Sequence, residues 1–120
     1  MRVAVTAQGP GLDSQVDGRF GRTKHFVIVD TDTDQVDAVD NAANLNAAQG
    51  AGIQAAQKVA GLGVTAVITG NVGPKAFAAL RAGGISVFIG AGGSVRETID
   101  QLKAGRLKQA EKPTAESHWV

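Results

Sequence analysis

The sequence predicts one α/β domain on a five-stranded mixed sheet, in the order 3-2-1-4-5, with helices on both faces. Three observations carry that prediction. Early in the chain, two β-branched runs, Arg2–Ala7 (RVAVTA) and residues 26–30 (FVIVD), precede a weaker run at 36–39. The second and third are joined only by Thr31-Asp32-Thr33-Asp34, a polar turn that makes an antiparallel hairpin. Late in the chain, the buried-type runs 64–69 (VTAVIT) and 85–89 (ISVFI) alternate with segments of helical period. Helical crossovers make such strands parallel and cover both of their faces.

Strand one is followed by loop chemistry, Gln8-Gly9-Pro10-Gly11 and Asp17-Gly18-Arg19-Phe20-Gly21. The first helix is expected from about Asn46 to Ala60, because Ile53, Ala56 and Ala60 recur at helical spacing before Gly61-Leu62-Gly63. Gly73-Pro74 opens the second helix, with Pro74 suited to its first position, Phe77 and Leu80 on one face, and Gly83-Gly84 as its stop. Gly90-Ala91-Gly92-Gly93 leads into the third. There Ser94 and Glu97 make a capping box, Val95, Ile99 and Leu102 form the apolar stripe, and Gly105 ends the run. Residues 1–107 are expected to form the domain, and 108–120 a polar, loosely held tail.

Composition narrows the function. The chain has 120 residues, 43% of them hydrophobic, enough for one core. A net charge of +1 with no basic run, and only Phe20, Phe26, Phe77, Phe88 and Trp119 as aromatics, argues against nucleic acid. The absence of an apolar span or signal-like start argues against a membrane and for the cytoplasm. Zero cysteines exclude disulfides, thiolate nucleophiles and cysteine-ligated metal centres, and two histidines are too few for a histidine-rich site.

In open α/β sheets, ligands sit beyond the carboxyl ends of strands where connections diverge. In the predicted order that point lies between strands one and four. The loop after strand one, Gly70-Asn71-Val72-Gly73 and Gly90-Ala91-Gly92-Gly93-Ser94 should converge there. The latter two feed helix N-termini, whose unpaired N–H groups and partial positive charge favour an anion. Arg19, Arg22 and Lys24 would add full charges. The plainer alternative is that these glycines only make tight turns. No phosphate-loop pattern occurs, and the glycine pairs match a dinucleotide fingerprint incompletely.

Asp17-Gly18-Arg19-Phe20-Gly21-Arg22, followed by Phe26-Val27-Ile28-Val29-Asp30, resembles the D-x-R-F-G…F-x-I-x-D signature of the dinitrogenase iron–molybdenum cofactor-binding family. Gln49-Gly50-Ala51-Gly52, Val67-Ile68-Thr69-Gly70-Asn71-Val72-Gly73 and Gly84-Ile85-Ser86-Val87-Phe88 fit the same family, so the likeness runs from Met1 to about Leu107. The resemblance implies a ribonuclease H-like fold and a molybdenum-containing metal–sulfide cluster as cargo. For a small, stand-alone, cysteine-free member it implies a molybdenum–copper sulfide cluster held without covalent ligation, with other cluster-biogenesis proteins as partners. A related molybdenum–iron sulfide cluster is the other cargo. Many relatives carry cysteine where this chain has Thr23, and some have a cysteine- and histidine-containing tail that it lacks.

The expected reading is therefore a non-enzymatic carrier or assembly scaffold for an anionic cluster. The expected site comprises Arg19, Phe20, Arg22, Lys24, Asn71, Val72, Gly73, Lys75, Gly90, Gly92, Gly93 and Ser94, with Phe20 and Val72 as an apolar wall. Each has a plainer role. The arginines could pair with Asp13 or Asp17, and Lys75 could simply be solvated, although a cation in a first helical turn opposes the dipole. His25, a weak candidate metal ligand, reads more simply as a hydrogen-bonded residue at a strand start. His118 and Trp119 lie in the tail. Asp30-x-Asp32-x-Asp34 mimics a calcium loop, but Gln35 and Asn41 stand where that loop needs glycine and glutamate. An enzyme or regulator that holds a phosphorylated small molecule on the same glycine loops is the alternative. A cluster-biogenesis interaction module without a ligand is a third possibility.

Overall fold

A computed structural model describes residues 1–41 and 50–114. Its strands are β1 (Arg2–Ala7), β2 (His25–Asp30), β3 (Val36–Asp40), β4 (Ala66–Ile68), β5 (Ser86–Ile89) and β6 (Lys108–Gln109). Its helices are α1 (Ala51–Gly61), α2 (Pro74–Ala82) and α3 (Val95–Lys103). The sheet order is β3-β2-β1-β4-β5-β6. Val5 stands opposite Val27 in the antiparallel β1–β2 pair, and Ala4 beside Val67 in the parallel β1–β4 pair.

The sheet has six strands where the sequence predicts five. The sixth runs antiparallel to β5, with Gln109 opposite Phe88 and Lys108 opposite Ile89. Two exposed polar residues carry no periodic signal, so only their backbone pairing reveals them as strand. Ala110 secures the turn after them. It is buried, and its N–H donates to the Val87 carbonyl at 2.7 Å.

Alternation along the strands builds two cores. Ala4, Phe26, Ile28, Val67 and Val87 pack with Ala55 and Val59 of α1 and with Phe77 and Leu80 of α2. Val3, Val5, Val27, Val29 and Ile68 pack on the other face with Val95 and Ile99 of α3. Among the described residues, two helices thus cover one face and one covers the other. Truncating a fully buried side chain such as Leu80 to alanine would cost about 2–5 kcal/mol.

Local signals act as expected at most ends. Pro74 occupies the first turn of α2, and the Ser94–Glu97 capping box of α3 is complete in both directions. Gly84 and Gly105 take the left-handed φ values of 74° and 71° that end their helices. Residues 46–49, where the sequence places the start of the first helix, lie outside the described residues, as do His118 and Trp119. The calcium-like aspartates are used by the β2–β3 turn. Asp30 Oδ1 accepts the Asp32 N–H at 2.9 Å, Asp32 pairs with the Met1 ammonium, and Asp34 pairs with Lys103.

Candidate functional site

β1, β3, β4 and β5 all end at one edge of the sheet, and α1, α2 and α3 all start there. The long first loop, residues 8–24, is threaded through this edge. Its Asp17 N–H donates to the Thr6 carbonyl at 2.9 Å. The Thr6 hydroxyl in turn bonds the Asp17 carbonyl oxygen at 2.7 Å and the buried Thr69 hydroxyl at 2.9 Å. This polar network ties the loop to the ends of β1 and β4, so the loop is a fixed part of the edge.

The switch point between β1 and β4 is consequently filled by the chain itself. The Asn71 N–H donates to the Gly18 carbonyl at 2.8 Å, and the Phe20 N–H to the Asn71 carbonyl at 3.2 Å. A Cβ on Gly70 would lie 2.8 Å from the Gly18 Cα and carbonyl oxygen, so Gly70 is glycine because backbone meets backbone there.

The three helix starts differ. At α3, the Val95 N–H donates to the Ser14 carbonyl at 2.9 Å and the Arg96 N–H to the Leu12 carbonyl at 2.8 Å. The Glu97 N–H donates to the Ser94 hydroxyl, and the Ser94 N–H to the Glu97 carboxylate at 3.2 Å. Every donor of that first turn has a partner within the chain, and Glu97 already supplies a negative charge. At α2, Gly73 is the N-cap without a side-chain bond, Pro74 has no N–H, and the first turn holds no acid. The N–H groups of Gly73, Lys75 and Ala76 have no partner among the described residues. α1 likewise starts at a glycine, Gly50, with no side-chain cap and no acid in its first turn.

The sequence-derived residues divide accordingly. Arg19 is exposed and bridges to Asn71 through the backbone, while its N–H donates to Asp17 Oδ1 at 3.1 Å. The pairing with Asp13 that would make Arg19 a plain surface residue is not formed, because Asp13 bonds Arg96 at 3.2 Å. Lys24 and Lys75 are exposed, and Arg22 is half-buried. Phe20 and Val72 are each 1% exposed and lie in the core, where Phe20 packs on Phe26 at 5.7 Å between ring centres. They support the loop from beneath and do not offer a ligand an apolar wall. Gly90, Gly92 and Gly93 are exposed beside the occupied α3 start. A Cβ on Gly92 would meet only open space, whereas Gly90 and Gly93 have left-handed φ values. His25 is half-buried at the start of β2, and its carbonyl accepts the Thr23 hydroxyl at 2.9 Å. Among the described residues, no three histidine, aspartate or glutamate side chains meet to hold a metal ion.

Sequence reasoning missed two parts of this edge. One is the Gly18–Gly70 contact, whose signal is two ordinary glycines far apart in the chain. The other is Thr114, from the segment assigned to the tail. Its hydroxyl accepts the Val72 N–H at 3.0 Å, and its own N–H donates to the Val72 carbonyl at 3.0 Å.

A small α/β protein with three helix N-termini on one sheet edge, one of them closed by its own carboxylate, is the class that fold and site define. The dinitrogenase iron–molybdenum cofactor family profile matches residues 1–105, and the chain belongs to that family. The apo form of the orange protein from Desulfovibrio gigas is 46% identical, covers 95% of this chain and 96% of its own, and superposes with a TM-score of 0.93. A Thermotoga protein, provisionally described as a NifB protein, is 38% identical over 95% of this chain and 97% of its own, with a TM-score of 0.83. An uncharacterised protein of Methanocaldococcus jannaschii is 30% identical over 114 residues, 92% of either chain. No helix among the described residues is long and apolar enough to cross a membrane.

Proposed function

We propose that this protein is a non-enzymatic carrier or assembly scaffold for an anionic molybdenum-containing sulfide cluster, a molybdenum–copper sulfide in the first instance. The reading is supported above all by near full-length similarity to the orange protein at 46% identity. It includes the ribonuclease H-like scaffold that the family resemblance implies, a cytoplasmic location, and delivery to other proteins of cluster biogenesis. The domain of residues 1–107 is the cargo-holding unit, with β6 and the chain as far as Thr114 packed against it.

The chemistry asked of the chain is modest. A thiomolybdate-type cluster is a polyanion whose own sulfides satisfy its metals. The protein supplies N–H donors, positive charge and exclusion of competing ligands. The unpartnered Lys75 amide faces such an anion with the positive end of the α2 dipole behind it, and the buried Gly73 and Ala76 amides add to that field. Arg19, Arg22, Lys24 and Lys75 add charge, Asn71 adds a side-chain amide, and open space at Gly92 admits bulk. Gly90, Gly93 and Ser94 bound the site on the α3 side. Without a cysteine in the chain, no thiolate retains the cargo when the fold is lost.

Titration of apoprotein with tetrathiomolybdate and copper(I) tests this reading. Visible charge-transfer bands should grow to saturation, and the Gly73, Lys75 and Ala76 amides should shift first in NMR spectra. Denaturation should release all metal. Absence of uptake, or amide shifts confined to β3, would sink the proposal. Saturable binding of colourless phosphorylated compounds instead would favour a nucleotide-type ligand.

A further inference from the structure

The chain after α3 does not stop at the second core. It crosses the outer edge of β5 as β6, turns at the buried Ala110, and reaches the turn before α2 at Thr114. Pro113 restricts the backbone just before that contact, which limits the freedom lost when the segment docks. Thr114 then holds Val72 by both its N–H and its carbonyl, each at 3.0 Å. Residues 110–114 therefore form a strap fastened to the three-residue turn, Asn71 to Gly73, that opens α2.

A hollow borders the strap. A cavity of about 480 Å³ is lined by Ile89, by residues 108–112 and by Thr114. Two lysines against one glutamate give this wall a net positive lining. A hydroxyl that accepts from one group still has its proton to donate, and no acceptor for the Thr114 proton lies among the described residues. Thr114 is exposed, so that proton is available to a ligand.

We propose that the strap is a wall of the anion site, and that the Thr114 hydroxyl joins the α2 turn to the hollow, fixing Val72 while donating to the bound anion. The inference rests on the cluster-binding reading above and adds residues outside the predicted domain to the site. Its occupant is the same thiometallate-type polyanion, with the α2 amides on one side and Lys108 and Lys112 on the other.

Thr114→Val keeps the shape and the backbone bond but removes the hydroxyl, and Thr114→Ser restores it. In visible titrations with tetrathiomolybdate, the valine variant should bind about tenfold more weakly than wild type, as for one lost hydrogen bond to a charged group. The serine variant should bind and melt like wild type, whereas the valine variant, which also loses the acceptor for the Val72 N–H, should melt slightly lower. In wild type, the Thr114 amide should shift during the titration along with Gly73. Wild-type affinity in Thr114→Val, equal weakening in both variants, or an unmoved Thr114 amide would each overturn the inference while wild-type uptake left the site reading standing. Absence of uptake by wild type would defeat that reading, and the inference with it.

Discussion

The starts of α2 and α3 are both glycine-rich turns that follow a parallel strand, yet they are chemically opposite. α3 is self-sufficient: Ser94 and Glu97 cap it, and the carbonyls of Leu12 and Ser14 take its next donors. α2 has no side-chain cap, no acid, and a lysine, Lys75, where a cation opposes the helix dipole. A cap and a ligand answer the same electrostatic need, so a complete cap in the sequence marks where an anion is not required. The uncapped start is the informative one.

The largest expected effect breaks the junction beneath that start. Gly70→Ala would push a methyl group into the Gly18 backbone, where neither side is a flexible side chain. The expected cost is about 1–3 kcal/mol, read from the urea midpoint. Gly92→Ala, facing open space at an ordinary φ, should leave the midpoint unchanged and so serves as the control.

A second variant separates charge from fold. Arg19→Ala with Lys75→Ala should lower tetrathiomolybdate affinity roughly tenfold at low salt and less at high salt, where exposed charges are screened. Its thermal midpoint should stay the same or rise, since Lys75 opposes the dipole. An affinity insensitive to both mutation and salt would erase the contrast between the two helix starts.

The mirror experiment is Ser94→Ala, which removes the α3 cap. Stability should fall by about 1 kcal/mol while anion affinity is unchanged. Affinity loss equal to that of the Arg19–Lys75 double variant would mean that both starts serve the ligand.

The smallest effect lies far from either start. Backbone N–H donation from Asp32, then from Thr33, holds the Asp30 carboxyl below the usual aspartate range, with the Met1 ammonium and Arg2 adding to the effect. A folded-state value below the unfolded one means that the carboxylate stabilises the hairpin above the ordinary aspartate pKa. That contribution fades as pH falls through the lowered value. Carbon-detected NMR titration should show Asp30 protonating below the usual aspartate range, and Asp30→Asn should flatten this part of the acid profile. Neither change should alter anion uptake near neutral pH.

These contrasts also explain what could be read in advance. β1, the hairpin, the capping box and Pro74 were legible because each is set by neighbours in sequence. The five predicted strands occur in their predicted order because crossover rules leave few choices. β6 was not legible, since two polar residues paired only through their backbone have no pattern. The filled crevice was not legible either: a glycine that makes a turn and one that admits another backbone look alike until the partner is known. Phe20 illustrates the same limit. Its place between Arg19 and Gly21 suggested a ligand contact, but its ring packs inward on Phe26.

Thr23 carries a different consequence. It stands on the loop that leads into β2. Its side chain is fully buried, accepts the Ala7 N–H at 3.0 Å, and points its proton at the carbonyls of Ala7 and His25. A sulfur placed there by Thr23→Cys would be enclosed by peptide groups and shut off from the solvent that stabilises a thiolate. Such a cysteine would be chemically mute, a filler of space that reagents reach only after the strands part.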